Sequence, residues 1–211
     1  MGLFDSVRQA LGIAAETDAT RAGDPEALFD LSTATVTMEA QLDFAPDSEA
    51  ALCFSGVDST AFTDARDEVA AVLDAGASET GTVFEFRTDA HGYDWVVLAD
   101  EQFEDLVTSV HFAADAMQES GFGSRLLAAA FPFERDGTVA YWLYSFRRGS
   151  YYPFVPTGNR THDSDTEFKL ESVLGAELTI EEDKSYWYPL WPDGDARPWG
   201  RSLARSSNLP E

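Results

Sequence analysis

Lysine is nearly missing from this sequence. Of 14 basic residues only Lys169 and Lys184 are lysines, against 38 acids, and the formal net charge is −24. A chain so poor in cations is not expected to bind nucleic acid, because that affinity comes from Lys and Arg neutralising phosphates. Cysteine occurs once, as Cys53, which excludes an internal disulfide. It lies in Ala51-Leu52-Cys53-Phe54, which reads as a buried strand, so an inert core thiol is expected. Isoleucine is confined to Ile13 and Ile180. The longest apolar stretch, near Leu126–Phe133, falls far short of the ~20 residues a spanning helix needs. The opening residues carry Asp5 and Arg8 without a long apolar run, so no signal peptide and a cytoplasmic location are expected. Three catalytic signatures are also missing: there is no G-x-S-x-G elbow, no H-E-x-x-H and no P-loop.

What is there describes a folded chain. At 211 residues with 44% hydrophobic and 13% aromatic content, it is too apolar for an acidic disordered tail and long enough for one domain with a sizeable core. The acids are spread singly along the whole length. That distribution fits a surface adapted to concentrated salt, where a Debye length of roughly 3 Å at 1 M screens self-repulsion. It points to a halophilic, archaeal type of protein.

Residues 3–15 read as an amphipathic helix with Leu3, Phe4, Val7 and Leu11 on one stripe. A polar linker follows, and residues 1–24 form an N-terminal segment. Asp24-Pro25 then starts a short helix as N-cap and first helical position. Thr33–Phe44 alternates, with Val36, Met38, Ala40 and Leu42 on one side, and predicts a half-buried strand. Ala50–Ser55 is a second strand and Thr60–Ala75 a helix closed near Gly76. Thr82–Thr88 and Tyr93–Leu98 form a hairpin, Phe103–Ser120 a helix closed by Gly121, and Arg125–Glu134 with Thr138–Arg147 a second hairpin around Asp136-Gly137. Tyr151–Arg160 reads as a Pro-rich loop and Asp165–Leu174 as a last helix. The fold class is therefore α+β: an antiparallel sheet of successive hairpins with helices on one face. In coarse order, Thr60–Leu174 resembles the type III secretion chaperone-like fold. The single α+β domain spans 25–191, and 192–211 is an irregular tail bearing Arg197, Arg201 and Arg205.

Two groups of residues carry candidate chemistry. Glu104, His111 and Asp115 share one helix face and could converge on a metal or a proton, which would suit a metal-dependent or hydrolytic enzyme. The plainer reading is a surface histidine paired with an acid. The second group is aromatic. More than half of the aromatics lie between Phe131 and Trp199, and two clusters fall outside the expected strands. One is Arg147-Arg148-Gly149-Ser150-Tyr151-Tyr152-Pro153-Phe154-Val155-Pro156; the other is Tyr186-Trp187-Tyr188-Pro189-Leu190-Trp191. Loops rich in Trp, Tyr and Arg resemble interaction hot spots, which nominates Arg147, Arg148, Tyr151, Tyr152, Phe154, Trp187, Tyr188 and Trp191 as partner-binding residues. The other reading is that they fold back and cover the sheet. Residues 2–15 offer a third function, contact with a membrane surface or a partner helix. No cofactor is implied by any of these patterns.

Several segments together resemble the PspAB family of PspA-associated proteins. They are Met1-Gly2-Leu3-Phe4-Asp5, Ala27-Leu28-Phe29-Asp30-Leu31, Gly92-Tyr93-Asp94-Trp95-Val96-Val97, Phe103-Glu104-Asp105-Leu106-Val107-Thr108, Gly121-Phe122-Gly123, Arg148–Pro156 and Trp187-Tyr188-Pro189-Leu190-Trp191. The last two are the most specific. The resemblance covers residues 1–191, with 192–211 as an addition. It implies an accessory factor of the phage-shock membrane-stress protein PspA, of a kind often encoded near an HtpX-like membrane protease, and it carries over no catalytic residue. With the interaction-like aromatic loops and no catalytic signature, the leading expectation is a non-enzymatic adaptor that binds PspA or that protease.

Overall fold

Asp24 and Pro25 start a helix as their chemistry favours. The Asp24 carboxylate accepts the Glu26 N–H at 3.0 Å, and Pro25 occupies the first turn, where no N–H is needed. The computed structural model describes residues 23–192 and 197–203. The stripe Leu3, Phe4, Val7 and Leu11 lies outside the described residues. The first turn, Pro25–Phe29, is a 3₁₀ helix that runs directly into helix α1, Asp30–Leu42.

Helix α1 corrects the expected strand over Thr33–Phe44. Leu28, Leu31, Ala34, Met38 and Leu42 are all buried, and their spacing of three and four is a helical stripe. The alternation of Val36 with Met38 was coincidental: Val36 is 70% exposed while Met38 is fully buried. The threonines that favoured a strand are accommodated on the helix, where Thr35 Oγ1 donates to the Leu31 carbonyl at 2.9 Å. The helix ends at Asp43, which takes the left-handed conformation (φ 57°).

The strands are β1 (Ala45–Pro46), β2 (Glu49–Ser55), β3 (Val83–Thr88), β4 (Tyr93–Ala99), β5 (Leu126–Arg135), β6 (Thr138–Ser145) and β7 (Ser150–Phe154). They form one seven-stranded antiparallel sheet, ordered β3-β4-β2-β5-β6-β7, with β1 added beside β5. Asp136 and Gly137 both have positive φ at the β5–β6 turn, as the tight hairpin requires. The other helices are α2 (Thr60–Thr80), α3 (Phe103–Glu119) and α4 (Ser164–Leu174). Helix α2 runs on through Gly76, where a stop was expected, and ends at Gly81 with φ 83°.

Both faces of the sheet are covered, which explains strands as apolar as Ala50–Phe54. On one face Leu52, Phe54, Val96, Phe131, Trp142 and Tyr144 pack with the helices. On the other, Cys53, Trp95, Val97, Tyr141, Leu143, Tyr152 and Phe154 pack with Leu190 and Trp199, joined by Trp187, Tyr188, Trp191 and Leu203. The helices thus hold one face, as the hairpin order implies, and the aromatic segment after α4 holds the other.

Candidate functional site: an aromatic cavity beside strand β7

The expected loop Tyr151–Arg160 is a strand and a hairpin. Residues 150–154 pair with β6 as β7, and β8 (Pro156–Gly158) pairs with β9 (Thr161–His162). The loop reading failed because prolines usually exclude a strand. On this edge strand, however, the nitrogen of Pro153, like that of Tyr151, faces away from β6, so the missing N–H costs the β6–β7 ladder nothing. The residues beyond α4 partly cover this edge: the Tyr151 N–H donates to the Thr179 carbonyl and the Glu181 N–H donates to the Tyr151 carbonyl, both at 2.8 Å.

Strand β7 places its aromatics inside the protein. Tyr151, Tyr152 and Phe154, expected as contact residues, are buried. Arg147 and Arg148, neighbours in sequence, reach different partners. Arg147 reaches the Ser124 carbonyl at 3.5 Å. Arg148 spans both oxygens of Glu181, at 2.8 and 3.3 Å, and lies over the Tyr186 ring at 3.9 Å. Ser150 and the Asp183 N–H also donate to Glu181, each at 3.1 Å. Burial pushes the Glu181 carboxyl up; Arg148, the Asp183 N–H and Ser150 more than reverse that and hold it below its ordinary value.

The second aromatic cluster meets β7 across an open cavity of about 230 Å³. Pro153 and Phe154 lie on one side. His162, Ser164, Glu167 and Phe168 come from the end of β9 and the first turns of α4; Lys184, Trp187, Pro189 and Trp191 come from the segment after it. Helix α4 is held there by its N-cap Asp163, which accepts from the Thr166 N–H at 3.1 Å and its hydroxyl at 2.6 Å. Trp191 meets Phe154 edge-on at 5.0 Å, and Phe168 lies 6.3 Å from Trp187. Behind the wall, Tyr152 stacks on Trp187 at 6.4 Å and donates its hydroxyl to the Tyr188 carbonyl at 3.2 Å. Trp187 is anchored by its indole N–H, which donates to the Glu181 carbonyl at 2.9 Å.

One buried carboxylate sits among these rings. Glu167 is 3% exposed. It accepts the Val155 N–H at 2.9 Å and pairs with His162 Nδ1 at 2.8 Å. Burial raises its carboxyl above the ordinary value, against the lowering effect of the Val155 N–H and His162. At the mouth, the Lys184 ammonium lies 3.8 Å from the Trp187 ring centre and 5.7 Å from that of Phe168, and it pairs with Glu171. The lining thus offers ring faces, the Glu167 carboxylate with its His162 partner, the Ser164 hydroxyl and the Lys184 ammonium. His162, Glu167, Phe168 and Lys184 were missed from sequence because they lie in elements that meet the aromatic strings only after folding. The signal available was His162 five residues before Glu167, on either side of a helix N-cap.

The alternative centre does not assemble this way. His111 lies between Phe29 and Phe112, with ring centres 4.7 and 5.5 Å away. Among the described residues, no three His, Cys, Asp or Glu side chains, Glu104 and Asp115 included, gather to hold a metal. Nor is any helix among them long and apolar enough to cross a membrane.

Comparison with known proteins places this architecture. The family described as PspA associated protein B matches residues 1–199. The chain belongs to the PspAB family. Membership implies association with PspA and an accessory role. The PspAB match runs past Trp191, where the sequence resemblance stopped, and takes in Trp199, which is buried against Trp95 and Tyr141. Residues 192–199 are therefore shared with the family rather than added to it. Neither the curated proteins nor the solved structures yield a match to this PspAB chain.

Proposed function

We propose that the protein is a non-enzymatic adaptor of the PspA envelope-stress system, working from the cytoplasmic side through protein–protein contacts. The observation that carries this reading is the cavity whose walls are Phe168, Trp187 and Trp191. These are partly exposed rings backed by a fully packed sheet, which is how interaction hot spots are built. Tyr188 and Arg148 hold that wall in place from behind. An HtpX-like membrane protease is the further partner of this adaptor, and residues 2–15 are its route to a membrane or to a partner helix.

The test is retention of a PspA-family protein and of the protease on the tagged full-length chain in molar KCl. Retention of PspA above background, lost in Trp191→Ala, is the expected result. Background retention of both proteins sinks the adaptor reading.

A further inference from the structure

We propose that the cavity between β7 and α4 is a receptor for one basic side chain, arginine foremost, presented by a protein partner. The inference rests on the adaptor reading and names the chemistry of its contact.

Size comes first. At about 230 Å³ the space is smaller than the roughly 300–1,000 Å³ of drug-sized ligand pockets. It suits a single side chain rather than a cofactor. Its walls are next. Phe154, Phe168, Trp187 and Trp191 surround it, and aromatic faces attract cations through their negative quadrupole. The protein already uses this attraction at the same place, since Lys184 rests on the Trp187 ring. Lys184 is paired with Glu171, and a partner's cation has to share or displace it at the Trp187 ring while using Phe154, Phe168 and Trp191 as further walls.

Charge selects the occupant. Glu167 is the acid lining the cavity. Its oxygens are each engaged once, by Val155 and His162, and a carboxylate oxygen can accept more than one hydrogen bond. In concentrated salt the chain's −24 is screened within roughly 3 Å, so the contact charge on Glu167, not long-range attraction, sets the preference. Arginine fits better than lysine because a guanidinium is flat, weakly hydrated and stacks on rings while donating in its plane.

The probe is the peptide Ac-Gly-Arg-Gly-NH₂, titrated into the full chain and followed by the indole N–H signals of Trp187 and Trp191. Controls carry citrulline, the neutral isostere, or norleucine; glycerophosphocholine stands for a lipid headgroup. Saturable shifts with arginine only are expected. Phe168→Leu, at a half-exposed position, weakens binding about threefold. Glu167→Gln keeps an acceptor for Val155 and weakens it about fivefold.

Equal binding of citrulline, tighter binding of glycerophosphocholine, or no saturable shift overturns the proposal. The two readings fail separately. If the arginine peptide binds but PspA is not retained, the receptor stands and the adaptor reading falls. If PspA is retained but the peptide does not bind, the reverse holds.

Discussion

Arg148 shows how a single residue changed its meaning on folding. In so acidic a chain the pair Arg147-Arg148 suggests an anion site. The anion turned out to be internal: Glu181, 33 residues on, held by both ends of the guanidinium. Nothing local marks Glu181 among 38 acids, so the pairing was not legible. Arg148→Ala leaves a buried carboxylate without its counter-charge and should cost about 3 kcal/mol in denaturant titrations. Arg148→Lys should recover only part, since one ammonium does not span two oxygens in a plane. The sign with pH follows from a carboxyl held below its ordinary value. The stabilisation from Glu181 is complete above the unfolded value, about 4.3, and is lost as pH falls through the lower folded one. The alanine variant should lose that acid dependence.

At the scale of elements, most of the hairpins and helices were legible because local chemistry specified them. Asp136-Gly137 supplied two left-handed residues in sequence, and Asp24-Pro25 a cap and a first turn. The segment after it misled because two patterns overlapped. Threonines and an alternating Val36/Met38/Leu42 set argue for a strand, while Leu31, Ala34, Met38 and Leu42 argue for a helix. Packing decided between them, since only the helix buries all four of the latter. The two arrangements predict different mutational costs. In the helix, Val36→Ala should be within about 0.5 kcal/mol of wild type, and Met38→Ala should cost about 2–5 kcal/mol, partly through the Trp142 indole that reaches the Met38 sulfur at 3.5 Å. Comparable losses at both positions in chemical denaturation would contradict the helical assignment.

The whole molecule is a sheet with two different coats. Helices cover one face, and the chain beyond α4 covers the other with Leu190 and Trp199. Its path is tied down by the pair Arg197–Asp47 and by Glu49, which accepts from Ser202 and from the Leu203 N–H. Cys53 lies under this second coat, fully buried, with its thiol pushed well above the ordinary range by burial and then by Asp89 and Asp94. The only cysteine in the chain is thus a reporter of the coat. It should resist thiol reagents in the native protein and react at the rate of global unfolding. Removing residues 187–211 should speed its labelling by at least about tenfold, the factor that corresponds to about 1.4 kcal/mol of lost protection. Equal rates would mean that the second face is sealed without the segment.

Composition and local pattern were enough to establish an α+β chain with no disulfide, to place the hairpins and most helix ends, and to point to the aromatic strings as distinctive. These are properties of neighbouring residues, set by dihedral preferences, capping and short-range periodicity. Whether those strings were exposed or covered, which acid met Arg148, and that His162 and Glu167 would join Trp187 and Trp191 around one cavity came only with folding. Each depends on bringing β7, α4 and the segment after it together, and side-chain types carry no record of which distant neighbours they will meet.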